Sequence, residues 1–383
     1  MGRITILSLS WRDIKSPKSG GAEVHTFEML RRADKRRYRI IQFSPLYEGL
    51  EREEVIDGIT FHREGNAYSV IYKAWRYYRG HRNEIDIVID QCNTHRFFTK
   101  FWIPPQKRIF YIHQLTREIW RINSPGIIGW IGEKLETPML RLQRNDTVIT
   151  VSESTKKDLT AVGFDESKIY IIPNALGETI LEEPFHEDEI KGNEFIYVGR
   201  YSKYKGINVA IIALGLVKRR HPDVRLRIVG KKDEEVIQDV IEPLVRQYGL
   251  TYGGDDSDIE LCGFVPSEEK YRLMRKSRAL LFPSQREGWG IIVSEAGAMG
   301  TPSIVYDSPG CRDAVDYGCA GYLCQENSPK EVARLMILSI EDKNGYRKMR
   351  MSAYDFAQGL SWEKNKGMFD TVLDRMMRNN TYG

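Results

Sequence analysis

The sequence predicts an α/β protein built as two doubly wound domains, and three observations carry that prediction. Short β-branched runs alternate with longer helical stretches. The alternation starts afresh past the middle of the chain. An acidic, poorly patterned stretch, residues 178–192, divides the two series. Strands alternating with helices make parallel sheets covered on both faces. At 383 residues the chain is long for one hydrophobic core and sufficient for two.

In the first series, residues 4–9, 85–89, 108–112, 147–151 and 169–172 read as buried strands, the last halted by Pro173. In the second, residues 195–199, 224–230, 259–262, 279–283 and 303–306 do the same. Between the first two of these, Val209, Ile212, Ala213, Leu216 and Val217 recur at helical spacing and predict an amphipathic helix. The divide predicts one domain over residues 1–180 and another over 181–361. Two such domains facing one another make a cleft, with ligands beyond the carboxyl ends of the strands.

Composition narrows the function. At 41% hydrophobic and 29% charged residues, the chain is neither disordered nor membrane-embedded. Lys and Arg number 57 against 53 Asp and Glu, and a net charge of +4 is too balanced for a nucleic-acid binder. The five cysteines, at 92, 262, 311, 319 and 324, are odd in number and lack C-x-x-C spacing. They predict buried free thiols in a reducing compartment, not a disulfide framework or a zinc site. The start shows no leader, and no run approaches the ~20 apolar residues that span a bilayer, so a cytoplasmic protein is expected.

The residues that carry chemistry concentrate in the second series. Strand 195–199 ends in Gly199-Arg200, and Lys205-Gly206 opens the next helix. Glycine permits close backbone approach, a helix start offers unpaired N–H groups, and Arg200 and Lys205 add cationic donors suited to a diphosphate. Farther on, Glu287-Gly288-Trp289-Gly290-Ile291 follows another strand, with Glu295 one turn into the following helix. A helical Cα–Cβ bond tilts toward the N-terminus, so the Glu295 carboxylate is expected to reach the same ligand as Glu287. Two carboxylates there suit ribose and sugar hydroxyls. The competing reading makes Glu295 a plain surface helix residue. In the first series, Gly20-Gly21 precede a helix just beyond strand one, and His113 ends strand 108–112. A histidine there either points into a ligand site or is merely structural. No metal cluster is evident: the Asp255-Asp256-Ser257-Asp258 run sits in a Gly-rich turn.

Gly199-Arg200 through Lys205-Gly206, followed by Glu-x7-Glu from Glu287 to Glu295, resembles the retaining GT-B glycosyltransferases of family 4 (glycosyl transferases group 1). Pro302, residues 309–313, 321–323, 172–174 and 361–363 share the likeness. The resemblance implies the GT-B fold, two Rossmann-like domains across a cleft, with the C-terminal helix of about residues 362–383 packing back on the first. It implies that Arg200 and Lys205 hold the donor diphosphate as it leaves and that Glu295 holds the ribose. Glu287 and the amides of Gly288, Trp289, Gly290 and Ile291 would hold the donor sugar. Gly263-Phe264-Val265 would lie beside the base, Gly20-Gly21 at the donor–acceptor junction, and His113 against the transferred sugar. The family usually has Asp after that histidine, whereas this chain has Gln114.

The expected activity is metal-independent, cofactor-free transfer of a hexose from a UDP- or GDP-linked donor, with retention. The expected acceptor is a glycan or lipid-linked sugar of cell-surface polysaccharide or glycolipid synthesis. Aromatic residues among cations, as in residues 75–79, 100–108 and 127–131, suit an anionic membrane surface, and so a site on the inner face of the cell membrane; ordinary core is the rival reading. A sugar phosphorylase, an inverting GT-B enzyme, and a non-catalytic sugar-nucleotide or membrane-binding protein remain as alternatives.

Overall fold

The computed structural model describes every residue except 1, 18, 93, 94, 124, 125, 183, 188, 190, 255, 382 and 383. The chain divides into two compact units: Met1–Ala175 with Trp362–Gly383, and Leu176–Ser361. The break thus falls after Ala175 rather than after residue 180, and the short helix at 178–181 belongs to the second unit. Asp255, within the acidic turn considered as a metal site, lies outside the described residues.

The first unit has eight strands: β1 (Ile4–Leu9), β2 (Tyr38–Ser44), β3 (Glu53–Ile56), β4 (Ile59–Arg63), β5 (Ile87–Cys92), β6 (Arg108–Ile112), β7 (Thr147–Thr150) and β8 (Ile169–Ile171). They lie in the order β3-β4-β2-β1-β5-β6-β7-β8, parallel except for the β3–β4 hairpin at one edge. Its α-helices are α1 (Gly21–Arg32), α2 (Val70–His81), α3 (Ile119–Asn123), α4 (Ile127–Arg141), α5 (Glu153–Ala161) and the C-terminal helix Trp362–Thr381, which packs on α1. Chain order reverses across β1, which pairs with β2 on one side and β5 on the other, so a switch point opens beyond its carboxyl end. Apart from the edge strands β3 and β8, the strands are largely buried on both faces, which is why β1, β5, β6 and β7 read as near-continuous apolar runs.

The second unit repeats the plan without the hairpin. Its strands are β9 (Glu194–Val198), β10 (Arg225–Val229), β11 (Tyr252–Gly253), β12 (Ile259–Gly263), β13 (Ala279–Phe282), β14 (Ser303–Val305) and β15 (Tyr322–Leu323). The order is β11-β12-β10-β9-β13-β14-β15, parallel throughout, with the switch point between β9 and β13. Helices α6 (Glu178–Leu181), α7 (Ile207–Val217), α8 (Glu234–Val236), α9 (Glu242–Tyr248), α10 (Ser267–Lys276), α11 (Ile291–Ala298), α12 (Cys311–Ala314), α13 (Pro329–Glu341) and α14 (Lys343–Gln358) complete it. Its core joins β9, β10 and β13 to α7 and α13 through residues such as Phe195, Ile211, Leu214, Leu281 and Met336. Cys92, Cys311 and Cys324 are buried free thiols, but Cys262 is half-buried and Cys319 exposed, a correction to the expectation of five buried ones.

Candidate functional site

In the second unit the loops after β9 and β13 interlock. Gly206 stands at φ +79°, and a Cβ there would meet the Pro283 carbonyl oxygen at 2.3 Å. The Tyr204 carbonyl accepts from the Gln285 amide at 2.9 Å, and Ser284 Oγ lies 3.3 Å from it. A third loop closes behind them. The Glu287 amide donates to the Pro309 carbonyl at 2.9 Å, and a Cβ on Gly310 (φ +78°) would lie 2.2 Å from the Glu287 carbonyl oxygen. Glycine at 206 and 310 is thus demanded by the fold itself, through both conformation and space.

This interlock sets the charges. Lys205 Nζ donates to Glu287 Oε1 at 2.5 Å, and Ser284 Oγ donates to the same oxygen at 2.6 Å. Burial works against the Lys205 charge, but Glu287 and the Tyr204 hydroxyl outweigh it, so its pKa lies above the ordinary value and the ammonium is charged at neutral pH. Glu295, buried in α11, accepts from Lys270 Nζ at 2.6 Å and from the Tyr271 hydroxyl at 3.3 Å. Burial and the adjoining Glu295 raise the Tyr271 pKa, which keeps that hydroxyl a donor.

Helices α7 and α11 begin at Gly206 and Gly290, and neither start is capped by a side chain. The first amides of both, Ile291 and Ile292 in α11, therefore keep free donor capacity and a partial positive charge, while the Val293 amide turns back to the Gly290 carbonyl at 2.8 Å. Arg200, just past β9, is exposed and its guanidinium has no ion pair among the described residues; its carbonyl accepts from the Tyr197 hydroxyl at 2.9 Å. No contact joins Arg200 to Lys205, so the two expected diphosphate cations are held differently, one free and one locked on Glu287. Trp289 turns inward: its Nε1 donates to Ser294 Oγ at 2.9 Å and its ring stacks on Phe356 at 6.5 Å, which leaves only its backbone for a ligand. Gly263 ends β12 at φ +71° and is followed by Phe264, 84% exposed, and the half-buried Val265.

The first unit's switch point differs in kind. Gly20 and Gly21 are exposed at the start of α1, and a Cβ on Gly21 would meet nothing within 4 Å. The buried Glu23 accepts from the Gly20 amide at 2.8 Å and from Arg12 Nε at 3.0 Å. The preceding loop is anchored by a fully buried pair, Arg63 Nε to Asp13 Oδ2 at 2.6 Å, with Ser44 Oγ on the same oxygen at 2.7 Å. His113 follows β6 and stacks on Tyr111 at 5.0 Å, while His25 of α1 meets it edge-on at 5.4 Å and Trp362 at 5.3 Å. Burial pushes the His113 pKa down to about 4. Burial, then His113, pushes that of His25 well down, and Asn174 only partly opposes this. His113 Nε2 and both His25 nitrogens are out of solvent and lack a partner of hydrogen-bond geometry. Ser152 caps α5, accepting from the Thr155 amide at 3.2 Å.

The family pattern of the glycosyl transferases group 1 matches residues 182–356, and that of Glycosyltransferase Family 4 matches 19–176. The chain belongs to the group 1 glycosyltransferases. Over 232 residues this group 1 chain is 27% identical to glycogen synthase of Mycobacterium tuberculosis, a match to 59% of this chain and 53% of that protein. It thus spans about half the length of the curated relatives it matches. Sucrose-phosphate synthase from Thermosynechococcus elongatus superposes with a TM-score of 0.77 at 17% identity, over 98% of this chain and 100% of that one. Anabaena HepE in complex with UDP-glucose gives 0.73 at 16%, over 97% and 100%. These likenesses show the GT-B fold.

Sequence reasoning missed Ser284, Lys270 and Tyr271, which hold the two glutamates. Nothing in the local pattern around Lys270 signals that α10 lies against α11. The pairing with His25 was equally hidden, because it depends on α1 crossing the end of β6. Among the described residues no three His, Cys, Asp or Glu side chains converge as metal ligands.

Proposed function

We propose that this group 1 glycosyltransferase moves a hexose from a nucleoside-diphosphate sugar to a glycan or lipid-linked acceptor with retention of anomeric configuration. The observation that carries the proposal is the Lys205–Glu287 pair, set between two uncapped helix starts at the switch point of the second unit. A diphosphate needs cations and unpaired amides, and this cluster supplies both without a metal. When donor binds, the Lys205 ammonium and the free Arg200 guanidinium take the phosphate oxygens, and Glu287 turns to the sugar hydroxyls. Glu295, oriented by Lys270 and Tyr271, receives the ribose, and the exposed Phe264 lies beside the base.

As the anomeric C–O bond breaks, negative charge grows on the diphosphate, where Lys205, Arg200 and the amides at Gly290 and Ile291 hold it. The acceptor oxygen forms the new bond on the same face, and its proton passes to the departing phosphate oxygen. Neutral His113 acts as a hydrogen-bonding group for the transferred sugar rather than as a charge. That two related solved structures, HepE complexes, hold UDP-glucose or UDP supports a uridine donor.

The acceptor side rests on α4. Its Ile127 and Ile128 are 72% and 68% exposed, and Trp130, Ile131 and Leu135 are also exposed, beside the cations Arg121 and Lys134. An apolar stripe flanked by cations fits an anionic membrane surface, and a lipid-linked acceptor would be presented there. No described helix is long and apolar enough to cross a membrane.

Three measurements test the reading. A panel of nucleotide sugars should raise the melting temperature with one donor alone, and NMR of the transfer product should show the donor's anomer. An inverted product, or a reaction that requires inorganic phosphate, overturns the mechanism. Ile127→Ser with Ile131→Ser should abolish sedimentation with phosphatidylglycerol vesicles; unchanged sedimentation removes α4 from the acceptor side.

A further inference from the structure

Away from both switch points, the first unit holds a cavity of about 430 Å³. Its floor is the α2-facing side of β2 and β4, through Ile41, Thr60 and His62. One wall is α2, through Arg76, Tyr77 and His81, and Arg52 and Glu53 close the rim. Helix α2 packs its apolar side, Val70, Ala74 and Tyr78, into a cluster with Leu7 and Leu9 of β1, Ile41 and Phe43 of β2 and Val88 of β5.

The polar groups here are unevenly paired. Glu64 alone faces Lys73 Nζ at 2.8 Å, Arg76 at 3.3 Å, Arg52 at 3.6 Å and His62 Nε2 at 3.7 Å. One carboxylate cannot neutralise that group. Burial opposes the Glu64 charge, but Lys73, Arg76 and Arg52 outweigh it and hold its pKa below the ordinary value. Arg39, at the far end, comes no closer than 3.5 Å to Glu84. Arg39 and Arg52 thus sit at ion-pair range without a hydrogen bond among the described residues, and each guanidinium carries five N–H donors.

His62 is the second observation. It is only 7% exposed, stacks on Phe43 at 5.3 Å and lies 4.7 Å from Tyr77. Its Nδ1 is 2.8 Å from Glu53 Oε1, while the solvent-shielded Nε2 lacks a hydrogen-bond partner. A buried polar atom of this kind is costly unless something satisfies it. Tyr77 stacks in turn on His81 at 4.3 Å, so aromatic rings line the α2 wall next to Arg76, with Arg52 on the rim.

We propose that this cavity binds a phosphorylated ligand of about monosaccharide size, with Arg52 and Arg76 gripping the phosphate and the Tyr77 and His81 rings, on α2 beside Arg76, in contact with the rest of the ligand. Guanidinium forks match phosphate geometry, and the volume falls in the range of small-ligand pockets, roughly 300–1,000 Å³. The site consists wholly of first-unit residues and shares none with the Lys205–Glu287 cluster, so the diphosphate reading of that cluster can fail without touching it.

With only seven histidines in the chain, their ring C–H signals give a direct readout. The full-length protein, labelled at histidine, is titrated with inorganic phosphate and then with glucose 6-phosphate at constant ionic strength. The His62 and His81 signals should shift saturably, at lower concentration with the sugar phosphate, while His186 and His221 stay in place. Arg52→Gln with Arg76→Gln should weaken that response at least tenfold with the remaining signals unmoved, and Lys205→Ala should keep it. Arg39→Gln serves as a milder variant if the double one fails to fold. Still signals at His62 and His81, equal shifts in the arginine variants, or loss of the shifts in Lys205→Ala would each overturn the proposal.

Discussion

The two units use one plan to opposite electrostatic ends. At the second unit's switch point, ion pairs surround helices that start without caps, and three glycine-bearing loops press on one another. At the first unit's, two neutral histidines sit among aromatic rings, the helix start is answered by Glu23, and the glycines have open space around them. The difference teaches that parallel topology supplies only the location of a site. On the proposed reading, the second unit's switch point suits a charged leaving group, which needs charge held ready, and the first unit's a sugar ring, which needs shape and neutral donors.

Removing charge should separate the units most sharply. Lys205→Ala should lower the transfer rate by ~10²–10³ if, as proposed, it deletes a preorganised stabiliser of the leaving group. Arg200→Ala, at an exposed and unpaired side chain, should lower the rate with its melting temperature unchanged. Initial rates and thermal melts on both variants check this, and equal rates to the parent would sink the diphosphate assignment.

The glycines sharpen the contrast next. Gly310→Ala puts a Cβ 2.2 Å from the Glu287 carbonyl oxygen at φ +78° and should destabilise by about 1–3 kcal/mol from backbone strain alone. Gly21→Ala meets no atom of the protein and should melt like the parent. Loss of activity in Gly21→Ala would then report a ligand in the open space, seen as a raised KM.

The histidines predict an acid weakness confined to the first unit. His113, with a pKa near 4, and His25, well below 6.5, are neutral when folded, whereas the unfolded imidazole protonates near 6.5. Between those values the unfolded chain binds more protons, so stability is full above about pH 6.5 and declines as pH falls toward 4. Denaturant midpoints measured across that window should fall, and His113→Gln should flatten the slope; an unchanged slope would show that His113 titrates normally.

The smallest effect concerns caps. Ser152→Ala removes the N-cap of α5 and should cost about 1 kcal/mol, with nucleotide-sugar binding unaffected. A binding loss in that variant would mean the start of α5 is used as the starts of α7 and α11 are.

Much of this was legible in the sequence where a local pattern sufficed. The buried strands 4–9, 195–199 and 279–282 are continuous apolar runs, and Glu287, Gly290 and Glu295 follow one of them directly. Residues 38–63 were not recovered as strands. β2 is broken by Arg39 and Gln42, and in the edge hairpin β3 opens with Glu53-Glu54 and β4 ends in His62-Arg63, so none of these reads as a buried parallel strand. The partners of the glutamates were out of reach for a different reason: Lys270 and Glu295 are 25 residues apart and meet only through helix packing. Trp289 illustrates the limit within a motif, since its position near the ligand loop gives no hint that its ring turns to Phe356.

The contact of Gly310 with Glu287, and of Gly206 with Pro283, has a consequence for redesign. Segments 199–206, 283–290 and 308–313 are shaped against one another's main chain, so they behave as a single exchangeable cassette. Transplanting only the segment that bears Glu287 into another scaffold would set its carboxylate at the wrong height over the β13 strand end. On the proposed donor reading, the preference of this chain should be altered by moving all three segments together, with side-chain changes made inside the block afterwards.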